Sequence, residues 1–365
     1  MESEHEGMMN TEEAQFSVVF GDDIGTDIEF QNDVKHKNLI FSNGVDLIYE
    51  FFNIERNLKS KYLNKIKSRL FQIILFSVVF YIFFQIENFQ NFLLVNLISQ
   101  IFIFLFIVCI PAYFTDRMSY VDIAWPFGLI AIGLISFMYG DGYLLKKSII
   151  SMLYIIAGLR MGIGALILLK KGYLNNEFPR YKYQRIRWKK KGFTNDKFSV
   201  QYEILLQCFA NATFLAIPAI LISNNNSEFF SNFEIIGVLL WIVFFFLEHI
   251  SDLQKQKFLI NAKKNKLKNK VCNVGLWKYT RHPNYFSEWM IWNSLIIASC
   301  SSLPINNSMI IFIGTTTALF YITILMYQTL VFLTGAVPSE YYSLIKRPDY
   351  KNYKKTTNMF FPRLF

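Results

Sequence analysis

Residues 92–114 read FLLVNLISQIFIFLFIVCIPAYF, twenty-three positions without one charged side chain. About 20 apolar residues in a helix cross the hydrocarbon core of a bilayer. A backbone in lipid must satisfy its own polar groups, so a run this long reads as a helix and not as a barrel strand. Segments of the same character recur at 70–86, 121–140, 148–169, 203–223, 233–251, 286–303 and 308–334. The first and seventh of the eight are short, and could tilt differently or lie partly in the interface. Composition agrees: 53% of the residues are hydrophobic, Phe fills 38 positions and only 18% carry charge, against about 25% in a soluble domain. The expectation is all-α, a polytopic integral membrane helical bundle of about eight transmembrane helices.

Residues 1–60 differ from the rest. They hold eleven Asp or Glu between Glu2 and Asp46 and no long apolar run, and read as an acidic N-terminal extension before a membrane domain at 61–365. No charged segment leads into an apolar one there, so no cleavable signal peptide is expected, and the acidity argues against a transit peptide.

The net charge of +10 raises nucleic acid as a partner, but the placement of the charges argues against it. Ten Lys or Arg fall in 170–202, nine in 252–285, six in 335–365 and six in 56–69. With eight spans, all four segments lie on one side, and the opposite side has only Lys146 and Lys147. The positive-inside rule makes the basic side, with the C-terminus, cytosolic. Topology and acidic membrane lipids thus account for most of the basic residues. Asn-x-Ser matches at Asn225 and Asn306 fall on the far side, which suits a lumen such as that of the endoplasmic reticulum. The four cysteines are scattered and the four histidines form no HExxH pair, so neither a disulfide framework nor a metal site is expected.

Ionisable groups inside spans are costly and mark function or structural bridges. Arg160 lies within the fourth span and needs a partner, with Asp122 and Glu248 as candidates. Asp122 opens the third span beside Tyr120 and Trp125. An acid in a first helical turn is also simply favoured by the helix dipole, and the two aromatics also suit an interfacial belt. Glu248 and Asp252 are four apart on one face at the expected end of the sixth span. Like charges at that spacing repel, so a cation such as Arg281, a lysine, or a cofactor's donors should face them.

The densest polar stretch is GLWKYTRHPNYFSEW, Gly275 to Trp289. Pro283 suits a first helical turn. Asn284 and Glu288 then share a face, with Arg281 and His282 at the helix entrance. By residue type alone this is either a ligand site or an interfacial anchor. The tail adds a third polar set: Tyr342, Lys346, Arg347 and Asp349.

These residues carry a resemblance. Gly275–Trp289 resembles the GLWxYxRHPNYFGE signature of the steroid 5-alpha-reductase-like superfamily, nearest its uncharacterised 3-oxo-5-alpha-steroid 4-dehydrogenase-like branch. Ser119–Trp125 resembles that branch's SxVDxAW, Gly158-Leu159-Arg160 its GLR, and Glu177–Tyr181 its ExPRY. Glu248, Asp252 and Gln254 resemble FExxxDxQ, and Lys346–Tyr350 the final RRPxY. The likeness spans roughly residues 95–363 and is ordered along the chain. The RHPNY core alone also resembles sterol reductases and isoprenylcysteine carboxyl methyltransferases. Ser287 and Pro126 stand where the family has Gly, and Gly164 where a His is expected.

The resemblance implies a membrane reductase that takes NADPH from the cytosol and passes hydride to a carbon–carbon double bond of a steroid or other apolar lipid. It implies Tyr120 with Asp122 as the catalytic pair and Trp125 and Arg160 at the substrate cavity. The cofactor set would be Glu248, Asp252, Tyr279, Arg281, His282, Asn284, Tyr285, Glu288, Tyr342, Lys346 and Arg347. Arg281, Lys346 and Arg347 would meet phosphates, and Asp252, Asn284 and Glu288 the ribose and carboxamide. There is no GxGxxG, so no Rossmann fold would hold the cofactor. Two alternatives stand beside this reading: a non-enzymatic subunit of a membrane complex or lipid-binding scaffold, its protein partners unspecified, and an S-adenosylmethionine-dependent methyltransferase.

Overall fold

The computed structural model describes residues 69–190, 193 and 195–363; the extension expected over residues 1–60 lies outside them. Contacts divide the chain into two compact units, whose described parts are residues 69–77 and the chain from Val78 onward. Among the described residues every element is helical and there is no strand.

The helices are α1 Arg69–Phe84; α2 Glu87–Phe104, carried through a π turn to Thr115; α3 Val121–Tyr139; α4 Leu144–Lys170; and α5 Pro179–Lys190. Then come α6 Asp196–Ala212, resumed as Ile217–Ser223; α7 Asn232–Lys264; α8 Pro283–Ser299; α9 Met309–Gln328; α10 Ala336–Lys346; and α11 Tyr350–Thr356. Among the described residues six stretches are long and apolar enough to cross a membrane: Glu87–Thr115, Val121–Tyr139, Leu144–Lys170, Asp196–Ser223, Asn232–Lys264 and Met309–Lys346. All eight expected segments are helical. The first and seventh, α1 and α8, are the two that fall short of that length.

α3 packs along α4 and against α2, and α7 packs along α8. The α3–α4 approach depends on Gly158: a Cβ there would lie 2.6 Å from the Pro126 carbonyl oxygen. Pro126 lies inside α3 and cannot donate a backbone hydrogen bond. A second break occurs in α6 at Thr213. Polar side chains serve carbonyls at the α6 break and along α3. Asn96 Nδ2 donates to the carbonyls of Asn211 and Ala212 at 3.3 and 3.2 Å. Gln100 Nε2 donates to the Gly128 carbonyl at 2.9 Å, and Asn211 Nδ2 to that of Trp125 at 3.3 Å.

α7 corrects one expectation. It starts with a capping box of Ser231 and Glu234 and runs 33 residues to Lys264. Glu248 and Asp252 are therefore interior residues, not the end of a helix. Asn225, which begins one of the Asn-x-Ser matches, turns inward, and its Nδ2 donates to Ser302 Oγ at 2.8 Å. That bond ties the loops before α7 and α9.

Candidate active site in three joined cavities

Two sequence motifs interlock to build the near end of the site. The Glu177 carboxylate accepts from the Met118 and Ser119 amides at 2.8 and 3.0 Å and from Ser119 Oγ. Ser119 Oγ in turn accepts from the Phe178 amide at 2.9 Å. This fixes the start of α5 against the start of α3. Asp122 then pairs with Arg180 and accepts from Tyr181 Oη at 2.6 Å.

The second anchor is the segment between α7 and α8. Gly275 has a φ of +53° and sits against Gln254, whose side-chain oxygen accepts from the Leu276 amide at 2.8 Å. Trp277 Nε1 donates to the Ser251 carbonyl at 2.9 Å. The C-terminal tail wraps this segment. The Arg281 amide donates to the Asn358 carbonyl at 2.9 Å, and Thr280 Oγ to that of Phe360, also at 2.9 Å.

Between these anchors lie three cavities. A basic one of about 820 Å³ opens at the end of α7 and includes Lys255, Lys270, Arg281, His282, Tyr342 and Arg347. A polar one of about 880 Å³ holds Asp122, Trp125, Arg160, Glu248, Asp252 and Glu288. Arg180, Asn284, Tyr285 and Thr334 line both. An apolar one of about 400 Å³ shares Arg160, Met161, Glu248 and Glu288 with the polar cavity.

Of the candidate residues, Asp252, Asn284 and Arg347 thus lie around joined hollows, not on separate faces. Three candidates line none of the cavities. Tyr120 points elsewhere, its ring 5.5 Å from the Arg117 guanidinium. Tyr279 is half exposed, and its carbonyl accepts from the Arg363 amide. Lys346 ends α10 outside the lining. The tyrosine beside Asp122 is Tyr181. Burial, then the Asp122 carboxylate, pushes its phenol well above the ordinary range, so it keeps its proton. The ExPRY motif contains Arg180 and Tyr181, and the need of Asp122 for a cation is the signal that points to them.

The ion pairs also differ from expectation. Arg160 pairs with Glu248 and, at 3.2 Å, with Asp252, whereas Asp122 takes Arg180. Arg281 does not face Glu248 or Asp252. It holds Glu340 at 2.6 Å and the carbonyls of Thr357 and Lys354. Most of its donors therefore serve the tail. His282 stacks on Tyr285 at 5.3 Å and lies 3.4 Å from Glu340. Burial lowers its pKa below the ordinary 6.5, only partly offset by Glu340.

Among the buried acceptors of the described residues that are left without a hydrogen bond are Asp252 Oδ1 and Asn284 Oδ1. A buried acceptor without a donor is costly. Both residues line the polar cavity, and Asn284 also lines the basic one.

The fold and site define a polytopic helical membrane protein with a charged-to-apolar series of internal cavities. The chain belongs to the family described as protein of unknown function, DUF1295, whose model matches residues 109–357. Asp122 through Arg347 lie within that match. The uncharacterized protein C594.04c of Schizosaccharomyces pombe is 24% identical over 272 residues, 68% of this chain and 74% of that protein. No solved structure matches the chain.

Proposed function

We propose that this chain is a membrane-embedded NADPH-dependent reductase that acts on a carbon–carbon double bond of an apolar lipid, within the steroid 5-alpha-reductase-like superfamily. In this reading it resides in the endoplasmic reticulum membrane with its basic loops and C-terminus in the cytosol. The observation that carries the proposal is the unfilled acceptor pair Asp252 Oδ1 and Asn284 Oδ1, where the basic and polar cavities join. A carboxamide offers two N–H donors to such a pair, and the lysines and Arg347 of the basic cavity suit the phosphates of the same molecule.

NADPH supplies a hydride when bound. This chain's residues orient it, exclude water and hold a proton. Tyr181 Oη, buried and hydrogen-bonded to Asp122, replaces Tyr120 as the proposed proton carrier. Trp125 and Arg160 remain on the substrate side.

The test is thermal unfolding of the purified full chain in detergent. NADPH should raise the melting temperature and S-adenosylmethionine should not. Asn284→Ala should lose most of the NADPH shift while unfolding at nearly the parent temperature without ligand. A shift with S-adenosylmethionine alone supports methyl transfer. No shift with either, together with stable co-purifying partners, supports a scaffold.

A further inference from the structure

Cys272 stands apart from the other three cysteines. Cys109 and Cys208 lie inside spanning helices, and Cys300 lies just past α8, at the opposite end of the bundle. Cys272 is on the segment that returns from α7 to α8, half-buried and unbridged, in the wall of the basic cavity. Its neighbours in that wall hold one another. Lys255 Nζ lies 4.8 Å from the centre of the Trp277 ring, and Tyr353 Oη donates to the Trp277 carbonyl.

A thiol on its own marks nothing, but two further features give this one a reactant. The first is charge. Leu253 to Cys272 holds seven lysines and no Asp or Glu. Lys255 and Lys270 line the cavity from this stretch, and Arg347 lines it from the tail. Acids reach some of the cations: Glu340 holds Arg281, Asp122 holds Arg180, and Asp349 comes within 3.8 Å of Lys270. The last pair is more than half exposed and so contributes little. Among the described residues no Asp or Glu lines the cavity, so positive charge is left over at its mouth. A cleft lined by one sign of charge concentrates ions of the other. The second feature is Asn284, 6% exposed, whose Oδ1 faces the same cavity without a donor. A buried acceptor in that state is costly, and an amide N–H of a ligand would satisfy it.

We propose that Cys272 is a redox modification site for small anionic disulfides that carry amide groups, with glutathione disulfide as the type. Thiol–disulfide exchange proceeds by attack of a thiolate on a disulfide sulfur. The Cys272 thiol gives its proton to water and attacks one sulfur of the reagent. A new S–S bond joins Cys272 to one half, and the old S–S bond breaks. Its electron pair leaves with the other half as a thiolate, which then takes up a proton. The Cys272 sulfur is oxidised and the departing sulfur is reduced. The attached half brings carboxylates to the lysines of the cavity and amide N–H groups toward Asn284, so the product occupies the basic cavity until a reduced thiol reverses the exchange. The site stands without the reductase reading; that the adduct shuts out a nucleotide rests on it.

The test uses the full chain in nanodiscs at neutral pH and low salt. It is treated with glutathione disulfide or with cystamine, a cationic disulfide, and the adduct at Cys272 is followed by peptide mass mapping. N-acetylcysteinamide, a neutral thiol, in the same solution is the reference for each reagent. Relative to that reference, Cys272 should react about tenfold faster with the anion than with the cation, and added salt should bring the ratio toward one. Inorganic pyrophosphate should slow the Cys272 reaction saturably. Lys268→Gln with Lys270→Gln, both exposed positions, should lower the ratio several-fold. A ratio near one at low salt in the parent protein overturns the proposal, as does an adduct confined to the other cysteines or a Cys272 rate that pyrophosphate leaves unchanged. These readings come from the parent chain and need no variant to fold. In the same sample the adduct should abolish the NADPH melting shift, and dithiothreitol should restore it. A shift that survives complete modification overturns the blockade. No shift in the unmodified protein overturns the reductase reading instead, and the rates still decide the thiol site.

Discussion

Arg160 stands with two carboxylates at the centre of the bundle. Its side chain is 18% exposed, and those of Glu248 and Asp252 are 7% and 12% exposed. Removing one partner of a buried ionic group leaves charge without compensation and costs about 3–5 kcal/mol. Arg160→Met should therefore destabilise the protein by about 3 kcal/mol, read as a lowered midpoint of unfolding in mixed micelles. Combining it with Glu248→Gln and Asp252→Asn removes the stranded charges and should recover most of the loss. If the triple variant is no better than the single one, packing by the arginine stem matters more than its charge. This residue also shows how far a sequence can lead. An arginine inside an apolar run announces a partner, and Glu248 was legible as one. That the second partner is Asp252 and not Asp122 depends on α7 continuing as helix to Lys264, so that both acids stand on one interior face toward α4.

At the scale of elements, the site depends on short pieces that no hydropathy pattern marks. α10, α11 and the segment before α8 meet at Glu340, which binds Arg281 at 2.6 Å and Lys354 at 3.0 Å. Its charge is thus largely compensated before His282, 3.4 Å away, is counted. Lys255 and Arg281 also oppose a proton on that ring, so the folded protein keeps His282 neutral. A histidine depressed below its unfolded value of 6.5 adds stability that is complete above that pH. The stability is lost as pH falls toward the folded value, with no further loss below it. The melting temperature should therefore drop on acidification from pH 7 to 5, and His282→Gln should flatten that slope. An unchanged slope in the variant would assign the acid sensitivity to other groups. The long spans were readable because a period of apolar residues needs only local information. The tail's wrapping, the Asn96 bonds at the α6 break and the contact of Tyr181 with Asp122 were not. Each joins residues far apart in the chain, and each polar side chain alone looks ordinary.

For the whole molecule, the question is which end faces the cytosol, and the two ends of the bundle are chemically distinct. At one end, the loops after α3 and α6 join: the Gly142 and Tyr143 amides donate to the carbonyls of Ser223 and Asn225 at 2.8 and 2.9 Å, and Asn225 reaches Ser302. The starts of α4 and α7 lie there too, clasped by Lys146 and Glu234. At the other end are α5, the segment between α7 and α8, and the tail. α8 is short, but it must cross: Gly237, early in α7, packs on Ala298 near the end of α8, so the two run antiparallel over most of their length. From α2 onward, each basic segment therefore falls at the same end without appeal to α1. A bundle with that asymmetry should sit basic end inward. Single cysteines placed at Lys268 and Ile305, both exposed, in a variant without the four native cysteines, test it. In sealed vesicles with the cytosolic face outward, an impermeant maleimide should label the Lys268 position several-fold faster than the Ile305 position. Detergent should equalise them. The reverse preference would invert the topology and move the basic cavity, with any nucleotide it binds, to the lumenal side, where a cytosolic cofactor pool does not reach.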